Sequence, residues 1–223
     1  MLKRMIVPLI LGMGGVAILL WLGFWQLQRL HWKEDVLAQI EARIAAAPVA
    51  LPANPEDPRD RYMPVRVSGR FTGEDLGVLT SIKQIGPGYR VIALFETDNG
   101  RRIMIDRGFV AEAARGVPRE VGQAEITGNL HWPQEVDGYT PDPDLARGLF
   151  FARDVPQMAE ALKAEPVLIV ARSDTGDGIE PMPVGAEGIT NNHLNYAITW
   201  FLMAAVWLGM TLLLLWRIRR TKQ

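Results

Sequence analysis

The chain has 223 residues, a formal net charge of -1 and no cysteine. That composition excludes disulfides, thiol redox chemistry, cysteine-ligated zinc, Fe–S clusters, covalent c-type haem attachment and copper delivery through paired thiols. The near-neutral charge offers nothing to a polyanion, so nucleic acid is not an expected partner.

In chain order, the first element is the uncharged run Met5 to Trp25, "MIVPLILGMGGVAILLWLGFW". A helix of this length crosses roughly 30 Å of hydrocarbon. The run is too long for the apolar part of a cleaved signal peptide, and the A-x-A-like site at Ala45–Ala47 lies far beyond it. An uncleaved anchor is therefore expected. The helix should continue outward, because Leu30, Leu37 and Ile44 fall seven apart and Val36 and Ile40 widen the same stripe. Prolines 48, 52, 55 and 58 then end it in an extended linker.

The middle of the chain reads as strands. "MPVRVSGRF" (63–71) alternates, and "LGVLTSI" (76–82) and "GPGYRVIALFET" (86–97) follow. "DNG" at 98–100 is a turn signal, and "RRIMIDRGFV" (101–110) completes a hairpin with the preceding strand. "AEITGNLHW" (124–132) and "PVLIVARS" (166–173) bring the count to about six. The segment 133–144 is a polar loop. "DVPQMAEALK" reads as one short helix, with Asp154 as N-cap and Pro156 in its first turn.

A second uncharged run, Leu194 to Trp216, closes the chain before a basic tail. Lys3 and Arg4 precede the first run, and Arg217, Arg219, Arg220 and Lys222 follow the second. From Ser173 to Trp216 there is neither Lys nor Arg, so both termini are expected on the cytoplasmic side, although Arg29 and Lys33 oppose the rule. In a bacterium the middle of the chain would then be periplasmic. The expected fold class is an α+β membrane protein. Two transmembrane helices flank an extracytoplasmic domain, a mainly antiparallel β-sheet or small β-barrel with one short helix. The expected organisation is 1–28 for the first span, 29–61 for the helical extension and Pro-rich linker, and 62–175 for the β-rich domain. A returning loop at 176–191, the second span at 192–216 and the tail at 217–223 complete it.

Catalytic signals are weak. Ser68, Ser81 and Ser173 could serve as nucleophiles with His31 or His131 as base, but no G-x-S-x-G or S-x-x-K pattern accompanies them. The three histidines, at 31, 131 and 193, have no metal-site spacing. "GPG" at 86–88 lacks the G-K-S/T of a phosphate loop. No enzyme is expected. His31 and His131 read as surface residues, and Asp106 and Arg107 as a structural turn with a local ion pair before Gly108.

Five stretches appear in order: "GFWQLQRLHWK" (23–33), "GPGYRVI" (86–92), "IDRGFV" (105–110), the "RD…MA" of 153–159 and "NNHLNYAITWF" (191–201). With the two flanking spans, this set resembles the Surfeit locus protein 1 family over nearly the whole chain. One departure is Phe109, where the family pattern usually has tryptophan after "RG"; an aromatic is kept. The resemblance implies assistance to cytochrome c oxidase assembly. It further implies handling of haem a as transient cargo during maturation of oxidase subunit I, without turnover. The partners it implies are subunit I and the lipid bilayer, with haem a synthase a further candidate.

The residues themselves leave two readings of "TNNHLNYAITW" (190–200) open. As a helix, it places His193, Tyr196, Ala197, Trp200, Ala204 and Trp207 on one face. A flat porphyrin could lie against such a stripe, with His193 as ligand to the haem iron. The positive end of the helix dipole disfavours imidazolium in the first turn. Arg29 is a candidate partner for a haem propionate, and Trp25, Gln26, Tyr196 and Trp200 are candidate lining residues. Under the other reading, Asn191 or Asn192 caps the helix and Tyr and Trp form an interfacial belt. The small residues then serve helix packing, with Gly12 and Gly15 suited to Ala197 and Ala204. A scaffold that stabilises apo-subunit I without touching haem fits this second reading.

Overall fold

The computed structural model describes residues 2–83, 85–186 and 191–220, with side chains from residue 5 onward. Lys222 of the basic tail, Thr190 and its three predecessors in the returning loop, and the side chains of Lys3 and Arg4 lie outside the described residues. The chain forms two compact units: Ile40–Gly185, and Met1–Gln39 together with Ala186–Gln223.

The second of these units is built on two long helices, α1 (Leu2–Ala45) and α3 (His193–Arg220), with the short α2 (Val155–Leu162) between them in sequence. Each is long and apolar enough to cross a membrane. Only 6% of the apolar stretch of α1 and 11% of that of α3 is buried within the protein. The core helix of a soluble protein would be mostly covered, so this pair is compatible with a two-pass membrane protein. Arg217, Arg219 and Arg220 in the last turn of α3 complement its negative dipole end.

The two helices meet along a seam of small and polar residues. On α3, Ala197, Ala204 and Thr211 are buried at seven-residue spacing. A Cβ added to Gly12 would collide with Thr211, one on Gly15 with Trp207, and one on Gly23 with Phe201. These opposed pairs run antiparallel, and the glycines allow the backbones to approach closely. Phe24 and Phe201 add an edge-to-face contact, with ring centroids 5.3 Å apart.

The unit Ile40–Gly185 holds β1 (Val49–Ala50), β2 (Pro64–Ile82), β3 (Gly86–Thr97), β4 (Arg102–Ala111), β5 (Gly122–Leu130), β6 (Leu149–Phe150), α2 (Val155–Leu162) and β7 (Leu168–Ala171). The pairing runs β2–β3–β4–β7–β5, and β5 returns to β2, so the circuit closes. The sheet is mixed: β1–β2, β2–β6 and β4–β7 pair in parallel, the rest antiparallel. The two strands expected at 63–71 and 76–82 are one long strand. Its first part pairs β5 and its second β3, and the expected break survives as an irregularity between Phe71 and Asp75.

Strand alternation explains why β3, β4 and β7 read as nearly continuous apolar runs. Phe95, Ile103, Ile105 and Ile169 point into one cluster, which Val65 and Val67 of β2 complete. Leu94, Met104 and Leu168, each from the neighbouring position, point into another. The second cluster is closed by Val155, Met158, Ala159 and Leu162 of α2. Burying a side chain such as Met158 contributes roughly 1.5–3 kcal/mol. The helix starts where expected: Asp154 accepts a hydrogen bond from the Gln157 amide at 3.0 Å.

Several stretches expected to be loose are pinned. The Pro-rich segment is extended, but Val49 and Ala50 pair with β2 and Leu51 packs on the core. Asp60 in the same segment is 3% exposed and accepts from Arg59 and from the Glu56 amide. Glu135 ties the polar loop to Arg153, and Ile179 of the returning segment is buried beside a bridge between Glu180 and Phe109. Asp106 and Arg107 do not form the expected local ion pair. Val91 pairs with Gly108 and Ile92 with Asp106, which leaves Arg107 as the extra residue of a bulge. Asp106 pairs with Arg90 at 3.0 Å and Arg153 at 3.2 Å, whereas Arg107 pairs with Asp177 at 2.8 Å. Gly108 has φ 116°, and a Cβ there would strike the Glu180 carbonyl, so the bulge requires glycine.

Candidate functional site

At the end of the helix pair where α3 begins, the seam changes from small residues to polar ones. Gln26 follows directly on the apolar run of α1, and His193 is the first residue of α3. The Tyr196 amide donates to the Asn192 carbonyl, which sets Asn192 at the helix start. The two polar side chains meet: His193 Nδ1 lies 2.7 Å from Gln26 Oε1.

That contact fixes the chemistry of the imidazole. An amide oxygen only accepts, so Nδ1 carries the proton and donates it. In a neutral ring so engaged the lone pair sits on Nε2, the form in which histidine ligates metals. A hydrogen bond from the other ring nitrogen is the usual means of orienting a ligating histidine. Both residues are half-buried, so the bond is partly shielded from water. The donor set present, one oriented imidazole nitrogen beside aromatic rings, fits a haem iron.

The other candidates fall around this pair. Trp25 and Tyr196 are exposed, at 46% and 57%, and Trp200 is half-buried. Arg29 is exposed, and its guanidinium lies over the Trp32 ring at 4.0 Å. The small residues of the proposed stripe have a different use. Ala197 and Ala204 are 1% and 3% exposed, buried in the seam, so a flat ring cannot lie on them. Trp207 packs against Gly15 and Gly12 faces Thr211, so the glycines oppose other seam positions than the two alanines expected.

The remaining histidines differ from each other. His31 is exposed, and its Nδ1 donates to the Leu27 carbonyl at 2.7 Å. His131 is not a surface residue as expected: it is half-buried and stacks on Tyr62 with centroids 5.6 Å apart. Burial, reinforced by the nearby Arg153 charge, lowers its pKa to about 4. Among the described residues, no group of three or more His, Asp or Glu side chains is placed to hold a metal ion.

Sequence reasoning named both Gln26 and His193 but not the bond between them. The signal was the residue type: each is the polar side chain nearest the outer end of its apolar run. Trp32 as the ring beneath Arg29, and Phe24 with Phe201, were not singled out, because aromatics near a membrane edge are common.

Comparison with known proteins agrees with this layout. The SURF1 family model matches residues 14–205, which takes in the sheet and part of each long helix. Surfeit locus protein 1 of Xenopus tropicalis is 29% identical over 212 residues, covering 82% of this chain and 68% of that protein. The human Surfeit locus protein 1 is 30% identical over 211 residues, covering 82% and 69%. A SURF1-like protein of Monosiga brevicollis is 34% identical over 210 residues, covering 85% and 80%. With most of its length matched, from within the first helix to within the last, the chain belongs to the SURF1 family.

Proposed function

We propose that this protein is an assembly factor for a haem-copper terminal oxidase that binds haem a transiently and aids its insertion into subunit I. The SURF1 family is known for cytochrome c oxidase assembly, and it is an assembly-factor family, not an enzyme family. The observation that carries the finer reading is the bond from His193 Nδ1 to Gln26 Oε1, which leaves Nε2 to ligate iron. Haem is the cargo. His193 holds it, Gln26 holds His193, and Trp25, Tyr196 and Trp200 offer apolar surface to the macrocycle. Arg29 is the cation for a propionate, which it would bind in exchange for its contact with Trp32.

The Lys and Arg distribution supports a two-pass protein of the bacterial inner membrane, with both termini cytoplasmic and the sheet domain periplasmic. Subunit I is the proposed client and haem a synthase a proposed donor of the haem.

A scaffold that stabilises apo-subunit I without haem is the second reading. The burial of Ala197 and Ala204 favours it, because part of the stripe serves packing alone. The two separate on purification from cells that make haem a. A haem band in the wild type that is lost in His193→Ala supports haem handling. A haem-free wild type that still co-purifies with subunit I overturns it.

A further inference from the structure

The sheet domain contains a second polar recess, far in sequence from His193 and wholly within Ile40–Gly185. It has a volume of about 420 Å³, and it opens between β2, β3, β4 and the segment after β4. Its floor is apolar, formed by Leu76, Val91 and Val110 with one face of Tyr89. Its polar wall holds three guanidinium groups, Arg115, Arg119 and Arg147, against one carboxylate, Asp75.

The arginines are held in different ways. Arg115 lies over the Tyr89 ring at 4.6 Å and donates to the Arg147 carbonyl at 2.6 Å. Arg147 is largely exposed, with Asp144 4.0 Å away. Arg119 is the unusual one. Its side chain is 4% exposed, and Nη2 donates to the Ala114 carbonyl at 3.0 Å, yet Nε has no hydrogen-bond partner. The Asp75 carboxylate stands 3.8 Å from that Nε, within reach of its charge but beyond a hydrogen bond. A buried guanidinium N–H left without an acceptor is costly, and an anion that reaches it recovers the loss.

We propose that this recess binds an organic carboxylate, its anionic group on Arg115 and Arg119 and its apolar part on the Leu76–Tyr89 floor. The planar guanidinium fork matches a carboxylate edge. The apolar floor selects an organic body over a bare inorganic anion. Asp75 narrows the choice further, because its charge opposes a phosphate dianion more than a monoanion. Burial pushes the Asp75 carboxyl up, against the charges of Arg119, Arg107 and Arg115, which lower it. The recess has the size of small-molecule sites, about 300–1,000 Å³.

The test uses the full chain in detergent, with benzoate as probe and inorganic phosphate as comparator, read by ligand-observed NMR and thermal shift. Saturable benzoate binding that weakens about tenfold in Arg115→Gln and tightens about tenfold in Asp75→Asn supports the site. Asp75→Asn keeps the experiment decisive even where loss of Arg115 disturbs folding, because a gain is expected. Absence of benzoate binding to the folded wild type, phosphate binding as tight as benzoate, or affinity unchanged by both substitutions overturns it. Haem content of the same samples is a separate readout, so failure here leaves the His193 reading untouched.

Discussion

The helix pair and the sheet domain solve the problem of apolar surface in opposite ways. In the sheet domain the chain covers its own apolar residues: alternate positions of β3, β4 and β7 feed two clusters, and α2 closes one of them. In the helix pair the chain covers little beyond a seam of small residues, and large side chains such as Ile10, Leu11, Trp21 and Val206 stay exposed. The first arrangement expels water by packing; the second is compatible with a bilayer covering what the chain leaves exposed. Polar groups follow the same division. Asp106 is fully buried in the sheet domain with two arginines, whereas Gln26 and His193 pair where the helix seam leaves its apolar stretch.

The largest expected effect lies in the sheet domain. Asp106→Ala leaves Arg90 and Arg153 without their shared buried carboxylate, and is expected to destabilise the domain by about 3–5 kcal/mol in chemical denaturation. A loss under about 1 kcal/mol would show that the pair is not the anchor described. His131 gives a smaller, pH-dependent term. Its folded pKa of about 4 lies below the ordinary value of 6.5, so the unfolded chain takes up the proton first as pH falls. Stability from this group is complete above 6.5, declines towards 4 and is flat below. After discounting for its partial exposure the term is about 1–2 kcal/mol. His131→Phe should flatten the dependence of unfolding on pH across that window; an unchanged slope would assign it elsewhere. Asp154→Ala removes the cap of α2 at a cost of about 1 kcal/mol, read in the same denaturation assay.

In the helix pair the sharpest structural probe is a crosslink. The chain has no cysteine, and a Cβ on Gly12 would lie 3.0 Å from the Thr211 Cβ. Gly12→Cys combined with Thr211→Cys should form an intramolecular disulfide on oxidation in membranes, because the seam needs to open only slightly to reach the roughly 3.5–4.5 Å Cβ separation of a disulfide. Failure to crosslink would contradict the antiparallel seam.

Much of this was legible in the sequence because the signals were local. The two apolar runs, the DNG hairpin, the Asp154 cap and the main strands each announce themselves within a few residues. The links that pin the domain were not legible, because their partners are far apart. Asp106 needs Arg90 and Arg153, and Arg107 needs Asp177. The bulge at Arg107 was hidden because Gly108 reads equally well as the end of a strand. His131 looked like a surface residue because polarity alone does not report burial. In the second helix, periodicity identified the face of Ala197 and Ala204 but left two coverings open, a porphyrin or the first helix; the burial of both alanines within the protein is that of helix packing. The pairing of Gln26 with His193 depends on how two antiparallel helices align, which neither helix encodes alone.

Gln26 is proposed to present His193 as a haem ligand. The most direct test is titration of haem a into purified protein in detergent, comparing the wild type with His193→Ala and Gln26→Leu by absorption spectroscopy. A saturable haem spectrum is expected in the wild type, with its loss in His193→Ala and affinity weakened about 10–100-fold in Gln26→Leu. A His193→Ala protein that binds haem a with the wild-type spectrum and affinity would contradict it.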